Sequence, residues 1–443
     1  MSAPLSPDTI SMIDTAVAET QSYGRAPSVV LGVLLDRRLV HVASAGDHPS
    51  PHPDLQYRIG SITKTFTATL VLRLRDAGRL DLDDRLRDHL PDAPFERITL
   101  RQLLGHAAGL QREPDGDAWW ERSTGTDVGT LLAGLGPDKV AFPPHRTYHY
   151  SNLAYGLLGA ALQRITGTPW AELVATDLLD PLGMTRTTYH PTAPYAAGYV
   201  VHPWHGTLRD EPRTDTRAMA PAGQLWSTVT DLSRWAAFLA DPDPAVLDPD
   251  TMAEMCLPVA INDPQRWTGG HGLGPELYRV GERVFAGHGG SMPGYVALLA
   301  VHRDTGSAVV AFANSYGFAR GTIRELGLRV LAGVLDREPA APRPWRPGTL
   351  PPPEIDAICG RWWWMGREMQ VSWDADAAEL VLTLLGPVQP VTSRFAAAGA
   401  DRWQGRSGAQ QGEFLTVRRG PTGTPTALDL ATFVLTRDPD DLG

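Results

Sequence analysis

Seven prolines fall between residues 339 and 353 of this 443-residue chain. Proline cannot donate a backbone N–H and its ring fixes φ, so no helix interior or central strand runs through such a stretch. Ala341-Pro342-Arg343-Pro344-Trp345-Arg346-Pro347 reads as a stiff linker. The chain therefore divides into residues 1–338, a linker at 339–353 and a tail at 354–443. In the tail, strand-like runs at 362–364, 369–373, 380–385, 414–418 and 428–436 are separated by Gly, Pro and Asp. They predict a small all-β barrel or sandwich. The longer part opens with a hairpin pattern at 28–35 and 39–45 and closes with strand patterns at 295–302 and 307–313, while helix patterns fill the middle. That is an α/β arrangement: a sheet whose edges come from both chain ends, flanked by helices, with an inserted helical lobe.

Within the longer part the densest signal is Arg58-Ile59-Gly60-Ser61-Ile62-Thr63-Lys64-Thr65-Phe66. A strand-like lead-in meets Gly60, and apolar residues then recur at helical spacing through Phe66, Leu70, Val71 and Leu74. Ser61 and Lys64, three apart, share one helix face. A hydroxyl one turn from an amine, at the positive end of a helix, is a workable nucleophile and base. Of 40 basic residues only Lys64 and Lys139 are lysine. A chain that uses arginine wherever any cation serves keeps lysine where the group must lose a proton, because a desolvated ammonium can and guanidinium cannot.

Two more stretches offer walls for a site. Tyr150-Ser151-Asn152 supplies a phenol able to share a proton with Lys64, and an amide able to hold a substrate carbonyl or order the lysine. His288-Gly289-Gly290-Ser291 supplies glycines that permit close backbone approach and an N–H able to pair with that of Ser61 as an oxyanion hole. The paired indoles of Trp119 and Trp120 could be core or could wall a pocket. His106, in the Gly-bounded turn 105–110, reads as a residue that bonds backbone. Net charge of −10 and no Lys/Arg run argue against nucleic acid and anionic membranes as partners. Cys256 and Cys359 lie far apart and suggest neither a disulfide framework nor a zinc site. Residues 1–24 lack the basic and apolar regions of a signal peptide, and no apolar run approaches about 18 residues, so a cytoplasmic protein is expected.

Ser-x-x-Lys at 61–64, Tyr-x-Asn at 150–152 and His-Gly-Gly at 288–290, in this order, resemble the motif set of the serine β-lactamase and penicillin-binding-protein superfamily. Ile98-Thr99-Leu100-Arg101-Gln102-Leu103-Leu104-Gly105-His106 and Pro221-Ala222-Gly223 look like connecting motifs of its class C β-lactamase and esterase branch. The resemblance spans about residues 10–340 and implies a β-lactamase/transpeptidase-like domain. In it Ser61 is acylated, Lys64 and Tyr150 form the base system, Asn152 binds a substrate amide, and the N–H groups of Ser61 and Ser291 make the oxyanion hole. His288 stands where true β-lactamases carry a lysine, as in esterases, D-aminopeptidases and acyltransferases of the superfamily.

A narrower resemblance rests on Trp119-Trp120-Glu121-Arg122, Gly290-Ser291-Met292-Pro293-Gly294, Pro344-Trp345-Arg346-Pro347 and Thr432-Phe433-Val434-Leu435-Thr436-Arg437. It is to the stand-alone penicillin-binding-protein-type thioesterases of nonribosomal peptide pathways, in which a C-terminal lipocalin-like β domain follows the catalytic one. That implies a cyclase that takes a peptidyl thioester from a carrier protein onto Ser61. It would join the D-configured acyl end to the peptide's own N-terminal amine, with Gly289, Gly290, Trp119, Trp226 and Arg437 touching the peptide and His288 ordering the site. The thioester carries its own activation, so no ATP, metal or cofactor is implied. The alternative is an esterase or D-amino-acid peptidase that passes the same acyl group to water.

Overall fold

The computed structural model describes residues 5–116, 119–319, 321–339, 347–386 and 390–440. The chain forms two compact units, Met1–Ala340 and Ala341–Gly443. Residues 340–346 of the expected linker lie outside the described residues.

The larger unit is built on an eight-stranded antiparallel sheet. Its strands are β1 (Ser28–Leu35), β2 (Arg38–Gly46), β3 (Ala260–Ile261), β4 (Gly269–His271), β5 (Glu276–Val280), β6 (Arg283–Met292), β7 (Tyr295–His302) and β8 (Ser307–Ala313), in the order β2-β1-β8-β7-β6-β5-β4-β3. The helices that matter here are α1 (Pro7–Gly24), α2 (Thr63–Asp76), α3 (Asn152–Thr166), α4 (Val229–Ala240) and α5 (Ile323–Arg337). Successive strand residues point to opposite faces, and in the central strands both faces are apolar. Val29, Leu31, Val33, Val309 and Ala311 pack with Ile13 and Val17 of α1 and Val330 and Leu331 of α5. Val30, Leu34, Val310 and Phe312 join a larger core with Phe66, Leu157 and Trp235 from α2, α3 and α4. The sheet is thus a wall between two helical layers, and α2 stands against it with its N-terminus at the level of β6.

The edges differ from the sequence expectation. Of the four strands expected from sequence only β2 lies at an edge; β8, from the far end of the unit, inserts beside β1 in the interior. The opposite edge comes from residues 260–280, whose Gly, His and Pro content conceals three short strands. The glycine-rich stretch 287–292, also not expected as strand, is the second half of β6 and pairs with β7 as far as Met292↔Tyr295.

The smaller unit is a closed eight-stranded barrel of β9 (Gly360–Trp364), β10 (Arg367–Asp374), β11 (Glu379–Leu384), β12 (Val391–Ala397), β13 (Arg402–Ser407), β14 (Phe414–Arg419), β15 (Pro425–Leu430) and β16 (Phe433–Thr436). The architecture is all-β and lipocalin-like, with an interior packed by Trp362, Leu382, Phe395, Leu415, Leu428 and Leu435. Arg437 follows β16 and is exposed. Its guanidinium donates to the carbonyls of Ala357, Cys359 and Arg361 and lies 3.8 Å from the Trp362 ring centroid. These bonds tie it to the backbone of its own unit. No described helix is long and apolar enough to cross a membrane.

Candidate active site

Ser61 sits in a single 3₁₀ turn, Gly60–Ile62, that feeds directly into α2. Gly60 has φ +53°, and a Cβ there would come 2.5 Å from the Ser291 nitrogen. A Cβ on Gly290 would collide with the Ile59 carbonyl. The two glycines therefore let the Ser61 turn lie directly on the end of β6. Met292 and Tyr295 flank the two-residue turn joining β6 to β7. They form the pair that exchanges both ladder bonds, so the alternation directs the Ser291 N–H away from β7. On that side the pairing with β5 has already ended at Gly287↔Glu276. The Gly60–Ser61 turn and Ser291 are thereby brought together on one wall of the site.

Lys64 is fully buried. Its Nζ lies 2.7 Å from Asn152 Oδ1, 2.7 Å from the Ala222 carbonyl and 2.9 Å from Ser61 Oγ. The first two partners can only accept, so each takes one N–H. Burial pushes the amine from its ordinary 10.5 down to about 7, against the pull of Glu113 and Glu121. In the neutral amine two N–H groups are fixed by the carbonyl oxygens, and the remaining lone pair is left for the Ser61 hydroxyl. The amide of Asn152 is oriented in turn by Glu113, which accepts from Nδ2 at 2.9 Å on both oxygens. Glu113 also accepts from Trp120 Nε1 at 2.6 Å. Asn152 thus orders the lysine through Oδ1, and the two Glu113 oxygens share one Nδ2–H, while the residue also lines the cavity described below.

Tyr150 donates to Ser61 Oγ at 2.8 Å, and Lys64 Nζ is 5.0 Å from its ring centroid. Burial holds the phenol well above its ordinary value, so Tyr150 keeps its proton, and of the two groups on Ser61 Oγ the lowered amine is the one able to accept one. Behind Tyr150 lie three buried imidazoles. His106 is 4.3 Å from the Tyr150 ring and 4.5 Å from His271, which is 5.6 Å from His288, centroid to centroid. His106 accepts from the Ser151 N–H at 3.1 Å, the backbone role expected of it. His288 donates from Nδ1 to the Gly289 carbonyl at 2.5 Å. Burial pushes it down to about 3, so it is neutral, and its Nε2 has no partner among the described residues.

These residues border a cavity of about 590 Å³ whose lining includes Ser61, Tyr150, Asn152, His288, Gly289, Gly290 and Ser291. The cavity also takes in Arg112, Glu121, Tyr148, Glu276, Tyr316 and Arg324, none of which the sequence analysis assigned to the site. Glu276 accepts from Tyr278 at 2.7 Å and from Arg324 at 3.0 Å. Trp119 is half-exposed and stands edge-on to Tyr316, 6.1 Å between centroids, one residue back from the cavity. Trp226 is not a wall: it is 1% exposed, packed against Tyr295 in the core, because it sits in a short strand under the Ser61 turn, paired with Arg58.

Residues 13–333 match the Beta-lactamase family model, and 351–437 match a domain of unknown function, DUF7586. The chain belongs to the Beta-lactamase family. It is 30% identical over 353 residues to Penicillin-binding protein 4 of Amycolatopsis lactamdurans, covering 72% of this chain and 90% of that protein. It is 30% identical over 223 residues to Beta-lactamase-like protein 2 of Dictyostelium discoideum, covering 47% of this chain but only 40% of that protein. Among solved structures, a D-stereospecific amidohydrolase from Streptomyces sp. aligns with TM-score 0.63 and 25% identity over 73% of this chain and 97% of that one. SurE aligns with TM-score 0.59 and 25% identity over 97% of this chain and 99% of that one. These likenesses support a serine hydrolase or acyltransferase of the penicillin-binding-protein family.

Proposed function

We propose that this protein is a stand-alone thioesterase and cyclase that takes a peptidyl thioester from a carrier protein onto Ser61 and releases it by joining its acyl end to its own N-terminal amine. The observation that carries the acyl-transfer chemistry is the fixed amine: two carbonyl oxygens hold the N–H groups of Lys64, and its lone pair is left for Ser61. Ser61 passes its proton to Lys64 as it attacks the thioester carbonyl. The oxyanion forms between the Ser61 and Ser291 N–H groups, and losing one such donor costs about 2.7–4 kcal/mol. The thiolate leaves with a proton relayed from Lys64 through Tyr150. An amine then attacks the ester and Ser61 recovers its proton. Ring closure outruns hydrolysis when the amine is held beside the ester, because effective molarities of roughly 10⁵ M or more are attainable.

Supporting the cyclase reading are the alignment with SurE along nearly the whole chain, the β domain that follows the catalytic unit, and His288 in place of a lysine. The likeness to a D-stereospecific amidohydrolase supports a D-configured acyl residue. It equally favours a second reading, hydrolysis of D-amino-acid amides or esters through the same acyl-enzyme. A synthetic linear peptidyl thioester ending in a D-residue separates them. The cyclase reading expects a macrolactam by mass spectrometry; linear acid alone at every peptide length tried rules it out.

A further inference from the structure

Glu121 has a side chain that the acylation chemistry does not use. It lines the same cavity as Ser61 and is 9% exposed. Its carboxyl has no hydrogen-bond or ion-pair partner among the described residues. The neighbouring acids differ. Glu113 is taken by Asn152 and Trp120, and Glu276 by Tyr278 and Arg324. A carboxylate is an acceptor-only group, and leaving one desolvated and unpaired is unfavourable unless a donor arrives. The charged groups acting on it are Glu113, Lys64, Arg58 and Arg112, and none of the cations is close enough to form a pair. Burial first, and then Glu113, raise it to about 7. Near neutral pH it can therefore hold a cation in one protonation state and keep a proton in the other.

We propose that Glu121 forms a subsite for a primary ammonium, the acceptor that collects the acyl group from Ser61. This rests on the acyl-transfer reading above and adds to it the residue that recognises the acceptor. The ammonium docks against the Glu121 carboxylate and transfers one proton to it, giving a neutral amine and a carboxylic acid. The amine lone pair forms the C–N bond to the ester carbonyl carbon. Its second proton passes to Lys64, the C–Oγ bond breaks, and Oγ is reprotonated from Lys64 through Tyr150. The products are the amide and free Ser61, and Glu121 later returns its proton to solvent. A desolvated carboxylate on the wall of the cavity that holds the ester favours a cationic acceptor over water and over an alcohol, neither of which brings a charge to neutralise.

The test uses the full chain and an N-acetylated D-phenylalanine p-nitrophenyl ester, which brings no amine of its own. Nitrophenol release reports acylation, and chromatography divides the acyl group among acid, n-propylamide and n-propyl ester when n-propylamine and n-propanol compete as acceptors. The wild type should favour n-propylamine, and Glu121→Gln should lower the amide-to-acid ratio at least about tenfold, with Glu121→Asp recovering part of it. The proposal fails if the wild type makes no amide, if Glu121→Gln leaves the ratio unchanged, or if it lowers amide and acid in equal proportion. It also fails if Glu121→Gln impairs acylation by the corresponding ester with a free α-amine while leaving the ratio alone, since the carboxylate would then serve the donor. Amide formation that depends on Glu121 in an enzyme unable to cyclise peptidyl thioesters would keep this subsite and remove the cyclase reading.

Discussion

The two lysines of this chain occupy regions that give one residue type opposite chemistry. Lys64 is fully buried, and its three direct partners are a hydroxyl, a side-chain amide oxygen and a backbone carbonyl. All are neutral, and the nearest carboxylates, Glu113 and Glu121, act only at a distance, so burial wins and the amine falls to about 7. Lys139, in a turn after the Val128–Ala133 helix, bonds directly to Asp115 and lies 2.9 Å from Asp138. Those carboxylates raise it above its ordinary value. Neutral acceptors hold an amine in place without holding its proton, whereas anionic ones hold both. Geometry alone is therefore not what makes Lys64 a base; burial without a direct carboxylate is.

The severest test of that contrast is Lys64→Arg. Arginine keeps the charge and loses the ability to give up a proton, so acylation measured with an activated ester should fall by about 10²–10⁴-fold. In the wild type the neutral amine is the reactive form. The acylation rate should then rise with pH through about 7, where an unperturbed lysine would place that limb near 10.5. A variant retaining a third of wild-type acylation, or a limb that stays near the ordinary lysine value, breaks the comparison at its base.

Glu113→Gln sharpens it. The substitution sets an amide NH₂ against the Asn152 NH₂ and removes a charge-assisted bond, which should lower acylation roughly tenfold through a mis-set Asn152. It also removes a carboxylate that holds the Lys64 amine up, so the acid limb of the pH profile should move below its wild-type position. A limb that moves upward, or a rate loss with no shift, would mean that Glu113 only props up the fold.

The parts of the site visible in the sequence are those whose chemistry is local. Ser61 and Lys64 are three residues apart on one turn, Tyr150 and Asn152 share a tripeptide, and the glycines announce a close backbone approach. Glu113 has no such mark, and Glu121 only stands in a stretch read for its tryptophans. Their meaning depends on which partners the fold delivers, and one is saturated while the other is bare. The mistaken placement of Trp226 has the same cause. An indole is the right residue type for a binding wall, but it is also good core. In the barrel the apolar run 428–436 reads as one strand, yet Ala431 at φ +55° turns it back on itself, so Leu430 pairs with Phe433. The strands at 391–397 and 402–407 escape notice because half-exposed strands carry Arg, Gln and Ser on their outer faces. The edge strands at 260–280 are hidden by short length and by glycine, which gives no alternation to read.

The smallest expected effect belongs to Lys139→Arg. A guanidinium can make both of the ion pairs that the ammonium makes, and surface pairs of this kind contribute little in either form, so acylation and thermal midpoint should stay within about twofold and about one degree of wild type. Placed beside Lys64→Arg, the same substitution asks at two addresses whether the chain needs a cation or a removable proton. Should Lys139→Arg cost as much as Lys64→Arg, the scarcity of lysine would be unrelated to proton transfer, and the surroundings of Lys64 would lose their claim to have made it a base.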